Sequence, residues 1–306
     1  MTERILIITL SNIGDLVLTT PVMEAAASRF PGTPIDVVAD ARSSALIASA
    51  PYLGDLYHRR KRAGWMETWS LISRLRQRNY RAVIDLRTPV AAFLLRARQR
   101  LVKPRTLVGQ QHAVEHHFAA LRPLVGQMQP PPCRLYLTEK QRALAREQLA
   151  QLPRGALVAI APGANWPGKV WRVEKFSALL TSLRAEVAAF VVLGSAADKE
   201  FGKELSRLEM PLIDLTGKTD LPGAAAVLAE CHLFIGNDSG LGHVAAGVGT
   251  RALTLFGPGE PWRYRPWGVA HRIILAPGKD LNRLETEPVL ELARTMLGET
   301  ECALPR

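Results

Sequence analysis

The sequence predicts an α/β protein with two domains, each built around a doubly wound parallel sheet. Short runs rich in β-branched residues alternate with segments of helical spacing along the whole chain, which is typical of parallel sheets covered by helices. The alternation pauses at Gln127–Pro132 and again at Pro153–Gly155, and then restarts. The chain of 306 residues also exceeds the roughly 100–200 residues typical of one domain. These observations predict domains of residues 1–152 and 153–306, with the last helix returning to pack on the first domain.

In the first half, Arg4–Leu10 is a continuous apolar run and predicts a buried parallel strand, and Gly14–Arg29 has helical spacing. Trp65–Arg78 is an amphipathic helix. Its apolar residues near one face are Met66, Trp69, Ile72 and Leu75. The other predicted elements are strands at Ile35–Ala39, Ala82–Leu86 and Thr106–Gly109 and helices at Ser43–Ser49 and Val90–Arg100.

The second half repeats this rhythm after a helix at Thr138–Gln151. Its predicted strands are Ala156–Ala161, Ala188–Leu193, Leu233–Gly236 and Arg251–Phe256. Its predicted helices are Val173–Arg184, Ala224–Ala229, Leu241–Gly247 and Glu287–Leu297. Ligands of such sheets bind at the carboxyl ends of the strands, so two facing sheets predict a site in the cleft between the domains.

Composition predicts a cytoplasmic protein. Hydrophobic residues make up 47% of the chain and charged residues 22%, which is ordinary for a soluble protein with sizeable cores. Ile5–Leu10 is followed by Asp15 and by no small-residue cleavage site, unlike a signal peptide, and no apolar run approaches the roughly 18 residues of a membrane span. Cys133, Cys231 and Cys302 are odd in number and far apart, which favours free thiols in a reducing compartment.

The net charge of +11 lies entirely in the first half of the chain. Residues 1–150 contain 22 Lys and Arg against 11 Asp and Glu, whereas residues 151–306 contain 17 of each. The densest clusters are Arg59–Arg62, Arg74–Arg78 and Arg96–Arg105. This asymmetry indicates a polyanionic partner, which is a nucleic acid, an anionic membrane face or a phosphorylated substrate. The alternative is a set of solvated helix faces with no partner.

The first candidate site is the turn Ser11–Asp15, which follows the first strand and opens a helix. Gly14 there permits a positive φ or a close approach of substrate to the backbone. Asp15 is either a group acting at the mouth of the cleft or an N-terminal helix cap. With one glycine in Ser11–Leu16, the turn lacks the G-x-G-x-x-G pattern, which argues against a dinucleotide-dependent oxidoreductase.

Three glycine-rich loops in the second half predict a diphosphate site. In Phe234–His243 a strand ends and a helix begins at Asn237-Asp238-Ser239-Gly240, where free amides and the positive end of the helix dipole suit phosphate. The loop Ala161–Trp171 contains Gly163 and Lys169, a flexible point charge able to neutralise a diphosphate. The loop Phe256–Trp262 contains Gly257. The alternatives are a plain turn with an Asx cap and a surface lysine.

His112, His116 and His117 suggest a metal cluster but lack carboxylate or thiol partners at ligand spacing beyond Glu115, so a basic or solvated helix face is favoured. No nucleophile elbow and no Walker A loop is present in the sequence.

Four segments resemble the signature blocks of glycosyltransferase family 9, the ADP-heptose:lipopolysaccharide heptosyltransferases. They are Ser11–Pro21 (SNIGDLVLTTP), Lys169–Phe176 (KVWRVEKF), Asn237–Ala246 (NDSGLGHVAA) and Leu255–Pro261 (LFGPGEP), in the family's order and spacing. The resemblance implies the GT-B fold of two Rossmann-like domains facing across a cleft, an N-terminal acceptor domain and a C-terminal nucleotide-sugar domain.

The resemblance also implies a reaction and its residues. The reaction is inverting, metal-free transfer of a heptose from ADP-L-glycero-D-manno-heptose to a lipopolysaccharide core at the cytoplasmic face of a Gram-negative inner membrane. Asp15 corresponds to the family's catalytic base and Lys169 to a lysine on the donor phosphates. The other residues on the donor side are Asp238, Ser239, Gly240, Leu241, His243, Gly163 and Gly257. Those on the acceptor side are Ser11, Asn12, Gly14, Arg59 and Arg60.

The sequence departs from the family at two places. Gly259-Glu260 replaces the frequent Thr-Asp of the fourth block, and Leu221–Gly223 lacks the acid that some heptosyltransferases place near the ribose. A related transferase with another nucleotide-sugar is therefore an alternative. A non-catalytic nucleotide-sugar-binding protein and a polyanion-binding protein are two more. With 6% aromatic residues and no RNA-binding signature, nucleic acid is the less favoured polyanion.

Overall fold

The computed structural model describes residues 3–59, 64–106 and 109–299. These fall into two units. The first unit contains Met1–Thr138 together with Trp262–Gly268, and the second contains Glu139–Pro261 and Val269–Arg306.

The first unit is built on a five-stranded parallel sheet with the strand order β3-β2-β1-β4-β5. Its strands are β1 (Arg4–Ile8), β2 (Ile35–Asp40), β3 (Leu53–Arg59), β4 (Tyr80–Asp85) and β5 (Ala97–Val102). Its helices are α1 (Ile13–Val17), α2 (Thr20–Arg29), α3 (Trp65–Leu75), α4 (Pro89–Leu94), α5 (Ala113–Phe118) and α6 (Arg122–Val125). The central β1 is apolar because it is covered on both faces, with Ile5, Leu6 and Ile7 fully buried.

The second unit is built on a six-stranded parallel sheet with the order β11-β10-β9-β6-β7-β8. Its strands are β6 (Leu157–Ala161), β7 (Ala189–Val192), β8 (Leu212–Asp214), β9 (Leu233–Asn237), β10 (Arg251–Phe256) and β11 (His271–Leu275). Its helices are α7 (Glu139–Leu149), α8 (Val173–Leu183), α9 (Lys199–Leu205), α10 (Leu221–Ala229), α11 (Gly240–Gly247) and α13 (Thr286–Gly298), and α12 (Pro261–Tyr264) begins at its border.

Both sheets are doubly wound. Each runs outward from its first strand in one direction and then restarts on the other side, so the order reverses between β1 and β4 and between β6 and β9. The predicted fold class of two doubly wound parallel sheets is confirmed.

The division between the units differs from the predicted 152/153. It falls after Thr138, because α7 packs on α10 within the second unit. The last helix, α13, also stays in the second unit, where Val289, Leu290 and Met296 join the core beside α8. The short segment Trp262–Gly268 belongs to the first unit instead.

Three predicted elements of the first half differ in the structure. The predicted helix Val90–Arg100 ends at Leu94, and β5 follows, whose alternating arginines reflect an edge strand exposed along one side. Of the predicted strand Thr106–Gly109, residues 107–108 lie outside the described residues, and its two ends are not in a strand. The predicted helix Gly14–Arg29 is two helices, with Pro21 in the first turn of α2, where a missing N–H costs nothing.

Candidate functional site

The strand order of each sheet fixes where a ligand pocket forms. In the first sheet, the strands that follow β1 and those that follow β4 are added in opposite directions. In the second sheet, the same holds for the strands that follow β6 and β9. A crevice opens at the carboxyl end of such a switch point. The turn Ser11–Asp15 follows β1, and the loops carrying Lys169 and Asp238 follow β6 and β9, so the predicted residues lie at the two switch points.

Lys169 and Asp238 form an ion pair at the switch point of the second unit. The distance between Lys169 Nζ and Asp238 Oδ2 is 2.5 Å, and the carboxylate side chain is only 8% exposed. The ammonium group has three donors, so the contact with Asp238 leaves two for an incoming anion. The buried carboxylate thus fixes a cation at the end of β9.

The N-terminus of α11 adds unpaired backbone donors beside this pair. Ser239 is the N-cap residue, but its side chain makes no capping hydrogen bond, and its Oγ is buried without a partner in the described structure. The first amides of a helix have no intrahelical acceptor and carry the positive end of the helix dipole. Gly240 and Leu241 open the helix and present such amides. A lysine and a helix N-terminus together suit a diphosphate.

The three glycine-rich loops of the second unit converge. Asn237 Nδ2 donates to Pro162 O at 2.6 Å, and its Oδ1 accepts from Trp171 N at 3.1 Å, which fixes both ends of the lysine loop. A side chain at Gly257 would come within 3.2 Å of Gly168 O, and one at Gly259 would collide with the Asp238 carboxylate. The loops therefore pack closely because glycine occupies these positions.

Two other predicted donor residues have local packing roles. The Asp198 carboxylate occupies the space that a side chain at Gly163 would fill. His243 is buried, and desolvation and then the charge of Lys169 lower the pKa of its imidazole to about 4. Its Nδ1 is buried with no partner among the described residues. His243 is therefore a neutral imidazole beneath the loop.

Asp15 lies in the first turn of α1, but it is not the N-cap. Asn12 holds that position, and Asp15 is the third helical residue. The Asp15 carboxylate accepts a hydrogen bond from Asn12 Nδ2 at 2.8 Å and remains partly exposed. The geometry thus disfavours the capping interpretation. Gly14 lies inside α1 and is not one of the residues with a positive φ, so its freedom of φ is not used.

Two arginines that follow the neighbouring strands β2 and β4 hold the loop before Asp15. Ser11 Oγ accepts from Arg87 Nη1 at 2.7 Å, and Ser11 O accepts from Arg42 Nη2 at 3.3 Å. Arg42 also forms an ion pair with Asp40 at the end of β2, and this hydrogen bond lowers the pKa of the Asp40 carboxyl group. Ser11 therefore links the loop after β1 to the loops after β2 and β4.

Arg59 ends the edge strand β3, and its Nε is buried with no hydrogen-bond partner in the described part of the chain. Burial and then the charge of Arg59 lower the pKa of Arg87. Two cations thus face the same edge of the sheet. Arg60, the other predicted acceptor residue of this cluster, lies outside the described residues, as do Lys61 and Arg62.

Lys103 and Arg263 form a second pair of cations near Asp15. The sequence assigns Lys103 only to the basic cluster Arg96–Arg105, and it does not identify Arg263. Burial, then Arg263, lowers the pKa of Lys103, while Asp15 and Asp85 raise it. Arg263 Nη1 is buried without a partner among the described atoms. Lys103 directly follows β5, and this position after a strand is the signal that identifies it once β5 is correctly placed.

The three histidines are buried, which corrects the predicted solvated helix face. His112 caps α5 through Nδ1, which accepts from Val114 N, and its Nε2 lies 2.9 Å from Arg265 O. His116 Nε2 lies 2.9 Å from Pro104 O, and burial lowers the pKa of His117 to about 3. Within the described ranges, no group of three or more His, Cys, Asp or Glu is arranged to hold a metal ion.

Cys133 and Cys231 are buried free thiols, and burial raises the pKa of each to about 12. Cys302 lies outside the described residues. None of the described helices is long and apolar enough to cross a membrane.

Comparison with known proteins gives a consistent result. The model of glycosyltransferase family 9 (heptosyltransferase) matches residues 68–292. The chain is 29% identical over 283 residues to lipopolysaccharide heptosyltransferase 3 of Escherichia coli K12, covering 83% of this chain and 82% of that protein.

Solved structures show the same fold. A glycosyl transferase family 9 protein from Veillonella parvula superposes with a TM-score of 0.85 at 23% identity, covering 97% of this chain and 98% of that one. A heptosyltransferase of E. coli, solved with ADP, superposes with a TM-score of 0.78 at 22% identity, covering 96% and 100%.

Proposed function

The chain belongs to glycosyltransferase family 9, and we propose that it transfers a heptose from ADP-L-glycero-D-manno-heptose to a lipopolysaccharide core acceptor, with inversion. One observation carries the donor half of this proposal. Lys169, its partner Asp238 and the N-terminus of α11 meet at the switch point of the second unit. The relatives named lipopolysaccharide heptosyltransferase support the sugar, and the neighbour that binds ADP supports the nucleotide.

In the proposed reaction, the acceptor hydroxyl oxygen attacks the anomeric carbon of the donor. The bond from that carbon to the diphosphate oxygen breaks, and ADP leaves with the electron pair. Asp15 takes the hydroxyl proton, the usual role of a positioned carboxylate. Lys169 and the amides of Gly240 and Leu241 stabilise the charge that develops on the diphosphate.

The acceptor side of the proposal rests on the cations around Asp15. Arg59, Arg87, Lys103 and Arg263 present positive charge at the carboxyl edge of the first sheet. Burial lowers the pKa of Arg87 and Lys103, and one guanidinium nitrogen each of Arg59 and Arg263 is buried without a partner among the described atoms. Such groups favour an acceptor with carboxylate or phosphate groups. An acceptor of this kind would place the protein at the cytoplasmic face of an inner membrane.

A donor panel tests the proposal. Calorimetry and product formation would compare ADP-heptose with ADP-glucose, UDP-glucose and GDP-mannose. We expect ADP-heptose to bind most tightly and to be the donor that turns over. A preference for a UDP or GDP sugar would overturn the heptose assignment and leave the alternative of another nucleotide-sugar. Binding of every sugar without turnover would favour the non-catalytic alternative.

A further inference from the structure

Helix α3 has an apolar stripe whose N-terminal half is not covered by the rest of the first unit. Trp65, Trp69 and Ile72 are spaced i, i+4 and i+7, so they share one side of the helix. Ile72 is buried in the core of the first unit, whereas Trp65 is 79% exposed and Trp69 is 56% exposed. Met66, beside them in the first turn, is 68% exposed. The sequence predicts an amphipathic helix with Met66, Trp69, Ile72 and Leu75 near one face, and only Ile72 and Leu75 of this set are buried.

Helix α4 exposes apolar side chains in the same layer. Val90 is 62% exposed and Phe93 is 65% exposed, while Ala92 and Leu95 are buried. Ala92 of α4, Leu95 directly after α4 and Ile72 of α3 belong to one core cluster against one face of the first sheet. Five of the nine large apolar side chains exposed in the described structure therefore lie on these two neighbouring helices. A concentration of exposed apolar side chains on two helices that share a core cluster marks an interaction surface.

The surroundings of this apolar surface are strongly basic. Residues 64–106 contain ten Lys and Arg against two Asp and Glu, a net charge of +8. Arg74, Arg76, Arg96 and Arg98 are exposed on or directly after the two helices. Tryptophan and phenylalanine ringed by arginine are typical of surfaces that lie in the interface of an anionic bilayer.

We propose that α3 and α4 form a membrane-docking face that inserts Trp65, Met66, Trp69, Val90 and Phe93 between the headgroups of an anionic phospholipid surface. The occupant is a bilayer and not a second copy of the chain, because two copies would bring together two strongly basic segments, each with a net charge of +8 over residues 64–106. Methionine and valine add apolar area without a ring for base stacking, which favours lipid over nucleic acid. The inference deepens the membrane location in the proposed function, but the vesicle-binding measurement that decides it needs no sugar substrate.

The test uses the full chain and vesicles of phosphatidylethanolamine with phosphatidylglycerol. Cosedimentation would compare the wild type with the double variant Trp65→Ser/Trp69→Ser. The expected loss of partitioning is roughly tenfold or more, from removing two interfacial aromatic side chains. Trp166→Ser is the matched control, because Trp166 is 53% exposed in the second unit, whose half of the chain is neutral.

Fluorescence gives a second readout that does not depend on stability. Brominated lipids should quench the wild type more than the double variant, and phosphatidylcholine vesicles should bind weakly. The double variant should melt like the wild type and act normally on a deacylated, soluble acceptor. Unchanged partitioning of the double variant would overturn the proposal. So would loss of a wild-type dimer in the double variant, or RNA binding that the double variant loses while vesicle binding is retained.

Discussion

The two sheets have the same winding but present different chemistry at their carboxyl edges. The first unit exposes separate charged side chains there, namely Asp15 and the cations Arg87, Lys103 and Arg263. The second unit presents a helix N-terminus and one ion pair, between Lys169 and Asp238. One topology thus forms two kinds of site. In the proposed reaction, the first would hold the acceptor and take its proton, and the second would stabilise a diphosphate through backbone dipoles.

The largest expected effect is on turnover and comes from a substitution in the first unit. Asp15→Asn should lower kcat by roughly 10²- to 10⁴-fold, because the variant cannot accept the proton of the acceptor hydroxyl. The substitution keeps the shape of the side chain and its contact with Asn12, so folding should not change. Steady-state kinetics with the natural acceptor measure it. Asp55→Asn, at the opposite end of the strands, is the control and should keep normal turnover.

A smaller effect is expected from the second unit. Lys169→Met should weaken ADP binding about 10- to 100-fold, the usual value of a charge-assisted hydrogen bond to a ligand. The loss is enhanced because Asp238 would remain buried, charged and unpaired next to the diphosphate. Lys218→Ala removes an exposed lysine of the same unit and should bind ADP normally. If the two variants bind ADP equally well, the diphosphate does not sit at the end of β9.

Lys103→Met sharpens the comparison by separating acceptor from donor. The KM for the acceptor should rise roughly tenfold from loss of one charge-assisted contact, while ADP affinity stays constant. Burial and Arg263 lower the pKa of Lys103, so the folded state disfavours its charge. The variant should therefore be at least as stable as the wild type in thermal melts. A destabilised variant with normal acceptor KM would mean that Lys103 is structural.

The smallest expected effect near neutral pH comes from buried histidines. The pKa of His243 is lowered to about 4 and that of His117 to about 3, so below pH 6.5 the unfolded chain binds protons that the folded chain does not. The free energy of unfolding is therefore highest above pH 6.5 and decreases as the pH is lowered. The decrease due to His243 is about 3 kcal/mol as the pH approaches 4. The contribution of His117 continues to be lost towards pH 3. Melting curves of His243→Gln should depend less on pH between 6.5 and 4, and curves parallel to the wild type would contradict this.

The sequence predicts the centres of both sheets but not their edges. The central strands β1, β6 and β9 are continuous apolar runs because both of their faces are covered. The four edge strands are β3, β5, β8 and β11. Three of them were not predicted and β5 was assigned to a helix, because an edge strand is half exposed and its sequence mixes arginine with apolar residues.

The same contrast separates the site residues. Asp15, Lys169 and Asp238 follow central strands and were identified from sequence. Lys103 follows an edge strand, so the sequence places it in the basic cluster Arg96–Arg105 without identifying it as a strand-end residue. Arg263 comes from a segment that the chain order assigns to the second half although it belongs to the first unit. The local sequence pattern does not show that Trp262–Gly268 packs with the first unit, and it does not show that His116 and His117 are buried.

The affinity for ADP, measured by calorimetry across one set of variants, tests the division between the units most directly. The set is Asp15→Asn, Lys103→Met, Lys169→Met and Lys218→Ala. The account predicts that Lys169→Met alone loses affinity, by about 10- to 100-fold, and that the other three match the wild type. Loss of ADP affinity in Asp15→Asn or Lys103→Met as large as in Lys169→Met would contradict it, because the diphosphate would then depend on the first unit.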